Sequence, residues 1–246
     1  MNRIGQFRWP YVAMLLLLCW GYFNNWNFKI HDFGNYYFGA LNWFQDATLS
    51  ELYHPGVFNG WIHDNFDVQM FASYAPSPPS TLLFFVPFLL FSPITAKIIW
   101  VLVNFTAGTF AFRRLQQLTN ASHHTWLLIL VVCFSAFHYE LLFGQLYLFL
   151  LFLLVEGFYQ FRQNKTWITA LLWSMAIVLK LFPLVLMGFL LFKGEWKTIW
   201  RTSLFTLALL VSAIGLVGYD VWETYLSSIL PKSNMGYINT AFNEIL

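Results

Sequence analysis

This sequence is short of charge and nearly without cysteine. Its two cysteines, Cys19 and Cys133, both lie inside apolar runs. That argues against a disulfide framework and against a thiolate metal site. Only 10% of the 246 residues are charged, and 11 of them are acidic. A formal net charge of +2 gives no footprint for nucleic acid. The histidines at 31, 54, 63, 123, 124 and 138 lack metal-ligand spacing, and the adjacent pair His123-His124 is expected in a loop. Neither a phosphate-cradling glycine loop nor a nucleophile elbow is present. No repeat period and no low-complexity linker divides the chain, so residues 1–246 are read as one unit.

What the sequence has is grease. It is 59% hydrophobic, with 28 Phe, 12 Trp and 12 Tyr, and its mean hydropathy is +0.58. The expected fold is all-α, a polytopic integral membrane helix bundle, because spanning segments must satisfy their own backbone. Apolar segments run over 11–26, 80–91, 94–112, 126–137, 141–161, 167–179, 181–192 and 199–217. Several fall short of the ~20 residues of a perpendicular span. Breaks at Pro93, Lys180 and Pro183 predict kinked or re-entrant helices around a cavity. Arg3 and Arg8 precede the first run as in a signal peptide. The run leads into Trp20-Gly21-Tyr22-Phe23-Asn24-Asn25-Trp26 without a small-residue cleavage site, so it is read as an uncleaved anchor.

Basic residues set the orientation. With a cytoplasmic N-terminus, a single crossing by 80–112 and a hairpin over 167–192 turning at Lys180, nine basic residues fall inside. These are Arg3, Arg8, Arg113, Arg114, Arg162, Lys165, Lys193, Lys197 and Arg201. The outer face then receives Asp32, Asp46, Glu51, Asp64, Asp67, Glu140, Asp220 and Glu223. Two full spans between 80 and 112 would instead put Arg113 and Arg114 outside. In the preferred arrangement 27–79 is the first extracytoplasmic loop, and Asp32, Gln145 and Lys180 share the outer edge. The triplets Asn120-Ala121-Ser122 and Asn164-Lys165-Thr166 fit a glycosylation pattern but fall inside and are read as chance.

Asp32 follows the first apolar run, in His31-Asp32-Phe33-Gly34-Asn35-Tyr36-Tyr37. A carboxylate among aromatic rings suits a sugar: it can take a proton from an attacking hydroxyl while rings stack on the apolar sugar face. The plain alternative is a helix N-cap. Tyr36, Tyr37 and Trp43 fit the aromatic belt of a membrane interface. Gln145, in Leu142-Phe143-Gly144-Gln145-Leu146, either bonds a ligand or satisfies the turn, and on sequence the turn is preferred. Lys180 stands between long apolar stretches, where an ammonium needs a cavity or polar partner; a phosphate oxygen is a natural one, and the plain alternative is a lysine snorkelling to the headgroups. Asp64 and Asp67 have helix-neighbour spacing that could hold a cation, though a solvated face is the preferred reading.

Taken in order, four features resemble glycosyltransferase family 87, membrane enzymes of the GT-C fold typified by polyprenol-phosphate mannosyltransferases. They are Asp32-Phe33 with Tyr36-Tyr37, then Tyr74 to Pro79 leading to Pro87, then Gly144-Gln145, and last Lys180 ahead of Pro183 with basic residues from Lys193 to Arg201 downstream. Tyr74-Ala75-Pro76-Ser77-Pro78-Pro79 is looser than the Tyr-Pro-Pro of that family. The resemblance implies a GT-C helix bundle with a large outer loop. It further implies inverting hexose transfer, mannose first, from a polyprenyl-phosphate donor to a lipid or glycan acceptor hydroxyl, at the outer face of the plasma membrane. Asp32 matches the catalytic base and Lys180 the donor phosphate, with Tyr36, Tyr74, Gln145 and His31 lining the substrate. No cofactor is implied, and a divalent cation is left open. The resemblance covers most of this chain but only the first part of a longer module, so a glycosyltransferase is expected, and the chain is read as a fragment of it. The rival readings are a transporter or flippase, for which broken helices and a buried lysine also suit, and a non-catalytic membrane subunit.

Overall fold

The structure is a computed structural model that describes residues 30–45, 49–66, 70–120 and 122–233, together with Val12 and Leu16. Most of the expected first span, along with Arg3, Arg8, Cys19, Asp46 and Asp67, lies outside the described residues.

Every regular element among the described residues is helical, and the protein is an all-α membrane bundle. The stretch 27–79, expected as a polar loop, carries α1 (Phe33–Phe44) and α2 (Pro55–Asn65). An extended segment then returns over α1, held by side chains. Asn35 Oδ1 accepts from Ser73 N at 2.9 Å, and Asn59 exchanges two 2.7 Å bonds with the Ala72 backbone. Next come α3 (Ser80–Phe85), its 3-10 continuation Val86–Leu90, and α4 (Pro93–Thr119). The 11 residues Ser80–Leu90 reach roughly 16–22 Å, less than the ~30 Å hydrocarbon core, so they cannot cross alone. α4 is 27 residues long and can.

The expected segment 126–137 is broken. Helices α5 (His123–Val132) and α6 (Phe134–Phe143) meet at Cys133 with a 58° bend. The Cys133 N–H is shared between the carbonyls of Ile129 and Val131, which tightens the last turn and stops α5. His123 and His124 are not in a loop but open α5, because the Ser122 hydroxyl accepts from Thr125 N and caps it. The remaining α-helices are α7 (Tyr147–Arg162), α8 (Thr166–Leu179), α9 (Val185–Lys193), α10 (Trp196–Val217), α11 (Tyr219–Thr224) and α12 (Leu230–Ser233), the last two joined by a π turn. Asn120 and Asn164 take left-handed φ of 51° and 57° just past α4 and α7. Asparagine tolerates that conformation, which gives each of the two a backbone reason to stand there.

Helix α7 packs between α4 and α8, and α8 packs on α10. Small residues permit the close approach, as membrane helices require. A methyl on Gly157 would lie 2.3 Å from Trp173 Nε1, and the Trp173 ring is fully buried. We expect Gly157→Ala to force α7 off α8 and to cost about 1–3 kcal/mol, read as a lowered midpoint of thermal unfolding in detergent. Tyr36 and Tyr37 are core residues rather than belt anchors. Tyr36 stacks on Phe85 at 4.7 Å, and Tyr37 donates to Phe91 O at 2.8 Å. Their rings fill the seam where α1 lies on α3 and its 3-10 extension.

Candidate active site

The site is built around a turn. Helix α6 ends at Gly144, whose φ of +68° lets the chain reverse. The N–H groups of Gly144 and Gln145 both donate to Glu140 O at 3.1 Å. Helix α7 starts three residues later with its first N–H groups needing partners. The Glu140 carboxylate takes two: Oε1 accepts from Tyr147 N at 2.6 Å and Leu148 N at 3.2 Å. Asn104 Oδ1 takes the third, from Phe149 N at 3.0 Å. A negative charge at a helix N-terminus is favourable, so buried Glu140 is satisfied by structure.

Helix α4 holds the carbonyls of the same turn with three residues on one face. Lys97 Nζ donates to Leu142 O at 2.7 Å. Trp100 Nε1 donates to Gly144 O at 2.8 Å and more weakly to Gln145 O, which Asn104 Nδ2 also meets. The turn is thereby fixed from below, and its side chain is aimed upward. Gln145 Nε2 donates to Asp32 Oδ2 at 2.7 Å.

Asp32 stands at the N-cap position of α1 yet makes no capping bond. The N-cap reading therefore gives way: its carboxylate points at the α6–α7 turn, 113 residues away in sequence. Gln145 likewise does more than satisfy its turn. His31, at φ +49°, packs edge-on against Phe143 with ring centroids 5.3 Å apart.

The second side of the site is the end of α8. Pro183 has no N–H, so the carbonyl of Leu179, four residues earlier, loses its helical partner. Thr81 Oγ1 supplies one at 3.1 Å, and Ser80 Oγ donates to Val178 O at 2.6 Å. The chain leaves the helix extended at Lys180 (φ −151°, ψ 135°). Its ammonium lies 5.8 Å from the Tyr147 ring centroid and is coupled to Glu140. The side chain is only 9% exposed, and among the described residues no carboxylate oxygen lies within 4.0 Å of it. Glu140 in turn is coupled to Asp32 as a like charge and to Lys180 as an opposite one. The structure thus brings Asp32, Gln145 and Lys180 to one region, joined through Tyr147 and Glu140.

Tyrosines wall this region. Burial holds the Tyr36 hydroxyl well above the usual tyrosine value, and the nearby Tyr147, Glu140 and Asp32 charges push the same way. Burial does the same to Tyr74, with Tyr36 adding to it. Both stay neutral O–H groups at physiological pH. Tyr74 donates to Pro78 O at 3.2 Å and presses its ring against Gly39. It lies next to Tyr36, farther along the wall from Asp32.

Residues 77–245 match glycosyltransferase family 87. The chain belongs to that family. No curated protein and no solved structure matches it. The matched stretch of this glycosyltransferase holds Lys97, Glu140, Gln145 and Lys180; Asp32, Tyr36 and Tyr74 precede it. Glu140 was legible in sequence only as an outer-face acid, and Lys97 and Asn104 were missed. Their signal was available: 97, 100 and 104 fall at i, i+3 and i+7, a polar stripe on one face of the apolar first part of the helix.

Gly144 gives a test of the turn. A methyl there would sit 2.9 Å from Phe33 Cβ, next to Asp32, at a φ that L residues rarely adopt. We expect Gly144→Ala to cost about 1–2 kcal/mol and to cut sugar transfer more steeply than Gly157→Ala at equal loss of thermal stability. Comparing both variants by melting and by transfer checks this.

Proposed function

We propose that this chain transfers a hexose, mannose first, from a polyprenyl-phosphate donor to a lipid or glycan hydroxyl, with inversion at the anomeric carbon. The site faces the extracytoplasmic side of the plasma membrane, in a chain crossing it several times. The observation that carries the reading is the Asp32 carboxylate. Gln145 fixes one oxygen at 2.7 Å, and Oδ1 has no hydrogen-bond partner among the described residues. It is partly exposed, at the edge of a site that also holds a buried ammonium.

The chemistry follows from those groups. Asp32 Oδ1 takes the proton of the acceptor hydroxyl as its oxygen bonds to the anomeric carbon. The bond from that carbon to the phosphate oxygen breaks on the opposite side, and polyprenyl phosphate leaves. Lys180 meets the departing phosphate, whose growing negative charge it stabilises. Tyr36, its ring stacked on Phe85, offers the sugar a neutral hydroxyl, with buried Tyr74 beside it. One carboxylate suffices, since no second base is needed to activate water.

Membranes containing the chain, given radiolabelled polyprenyl-phosphate mannose, should yield a product of anomeric configuration opposite to the donor. Transfer from a nucleotide sugar in its place, or retention of configuration, would refute the reading.

A further inference from the structure

Most aromatic side chains that flank the site are already engaged. The Tyr36 ring is buried and stacked on Phe85. Tyr74 is buried against Gly39 and Tyr53. The His31 ring packs on Phe143, which also stacks with Tyr139. Tyr147 differs. It is 47% exposed, and among the described residues its ring has no aromatic neighbour and its hydroxyl no hydrogen-bond partner. Helix α7 buries Leu148, Leu150, Leu153 and Gly157, so its first side chain is left over from that packing. The backbone there is nonetheless pinned. Tyr147 N donates to Glu140 Oε1 at 2.6 Å, two residues after Gln145, which bonds Asp32. The Lys180 ammonium lies 5.8 Å from the ring centroid, inside the ~6 Å reach of a cation–π contact. Asp32 and Glu140 lie near enough to act on the Tyr147 hydroxyl. An exposed tyrosine at the head of a membrane helix is ordinarily an interface anchor. This one has an ammonium and two carboxylates for neighbours.

We propose that Tyr147 is the platform on which the sugar ring of the lipid-linked donor lies. A hexose has an apolar C–H face that packs on an aromatic ring, while its hydroxyls stay free for hydrogen bonds. Its phosphate hangs from the anomeric carbon, so the platform and the cation that takes the phosphate must be neighbours. Tyr147 and Lys180 are. The acceptor must reach the same carbon, and the turn that leads into Tyr147 also carries Gln145, which fixes the base. Stacking needs the ring of Tyr147 and not its hydroxyl. The inference rests on the proposed lipid-linked donor and deepens it, because it assigns the sugar, apart from phosphate and lipid, to a side chain.

The test compares two lipids on the purified chain in detergent: polyprenyl-phosphate mannose, and the same polyprenyl phosphate without a sugar. Affinity is read from the rise of the thermal midpoint with lipid concentration. Each lipid is compared with itself across variants, because the bare phosphate carries more charge. Tyr147→Leu is expected to bind the sugar-bearing lipid roughly ten-fold more weakly, and the bare phosphate within about two-fold of the parent, the scale of one lost aromatic stack. Tyr147→Phe and Tyr147→Trp, which keep a ring, should restore most of the affinity for the sugar-bearing lipid. Without lipid, Tyr147→Leu should melt near the parent, because the side chain is half exposed and makes no hydrogen bond among the described residues. Lys180→Met gives the contrast and should weaken both lipids. If Tyr147→Leu also weakens both alike, the ring serves the phosphate or the fold, and the platform is overturned. Equal affinity of parent and Tyr147→Leu for the sugar-bearing lipid overturns the platform too, and leaves the donor reading standing. A parent that binds neither lipid sinks the donor reading and the platform with it. If Tyr147→Leu does not accumulate, Tyr147→Met takes its place and the same comparison decides.

Discussion

Asp32→Asn is expected to lower transfer by about 10²–10⁴-fold, the range a general base contributes, with the loss in kcat. The acceptor proton must go somewhere as the new bond forms. Among the described residues, Asp32 is the more exposed acid at this edge, and one of its carboxylate oxygens has no hydrogen-bond partner. Glu140 is more buried, and its Oε1 is bonded to two backbone N–H groups. An amide in place of the carboxylate fills the same volume and still accepts from Gln145, so the turn keeps its geometry. Donor KM should change little, because the base acts on the acceptor side. Asp32→Glu, one methylene longer, should keep part of the rate, since a misplacement of about 1 Å costs on the order of 10²-fold. Parental transfer in Asp32→Asn would remove Asp32 from the reaction. The kinetic loss should far exceed any change in melting, whereas a structural role would lower both together.

The sequence made some of this site legible for a plain reason. In a chain with 11 acids, a charge beside an apolar run must be explained, and topology alone sent Asp32, Gln145 and Lys180 toward one face. The two ends of α8 and α10 were legible too, because Pro183 and the basic residues around Lys193 punctuate them. What was not legible was the work done across sequence distance. Glu140 caps a helix that begins seven residues later. Asn104 and Trp100 reach a turn more than 40 residues on. Such bonds leave no local signature beyond a polar stripe on α4. The break at Cys133 was hidden because no glycine or proline marks it. Tyr36 and Tyr37 misled in the other direction: a tyrosine after a span usually marks the interface, and only the packing of α1 against α3 and its 3-10 extension buries them here.

Lys180→Met should move activity and stability in opposite directions. The ammonium is nine-tenths buried, its nearest aromatic partner is 5.8 Å away, and no carboxylate is within salt-bridge distance among the described residues. Burying a charge without a close partner costs several kcal/mol before relaxation and stray water reduce it. Glu140 keeps its two bonds from the α7 N-terminus when Lys180 is replaced, and loses only a more distant opposite charge. Replacing the lysine with an apolar side chain of similar length therefore removes the larger cost of burying its charge and leaves Glu140 on its backbone bonds. Melting should rise by roughly 2–4 °C for each kcal/mol regained. Transfer should fall by about 10²–10³-fold, the size of losing one group that stabilises a departing anion, with donor KM raised as well. That pairing of signs separates a ligand-binding ammonium from a structural one. A lysine held for the fold would melt lower when replaced, and transfer would follow only as far as the fold did. Lys180→Arg should keep the charge but broaden it into a planar fork ill-suited to a single phosphate oxygen in a tight turn, and it should fall between the two. Activity lost while the protein gains stability is what a residue kept for a phosphate, and not for the helix break, would give.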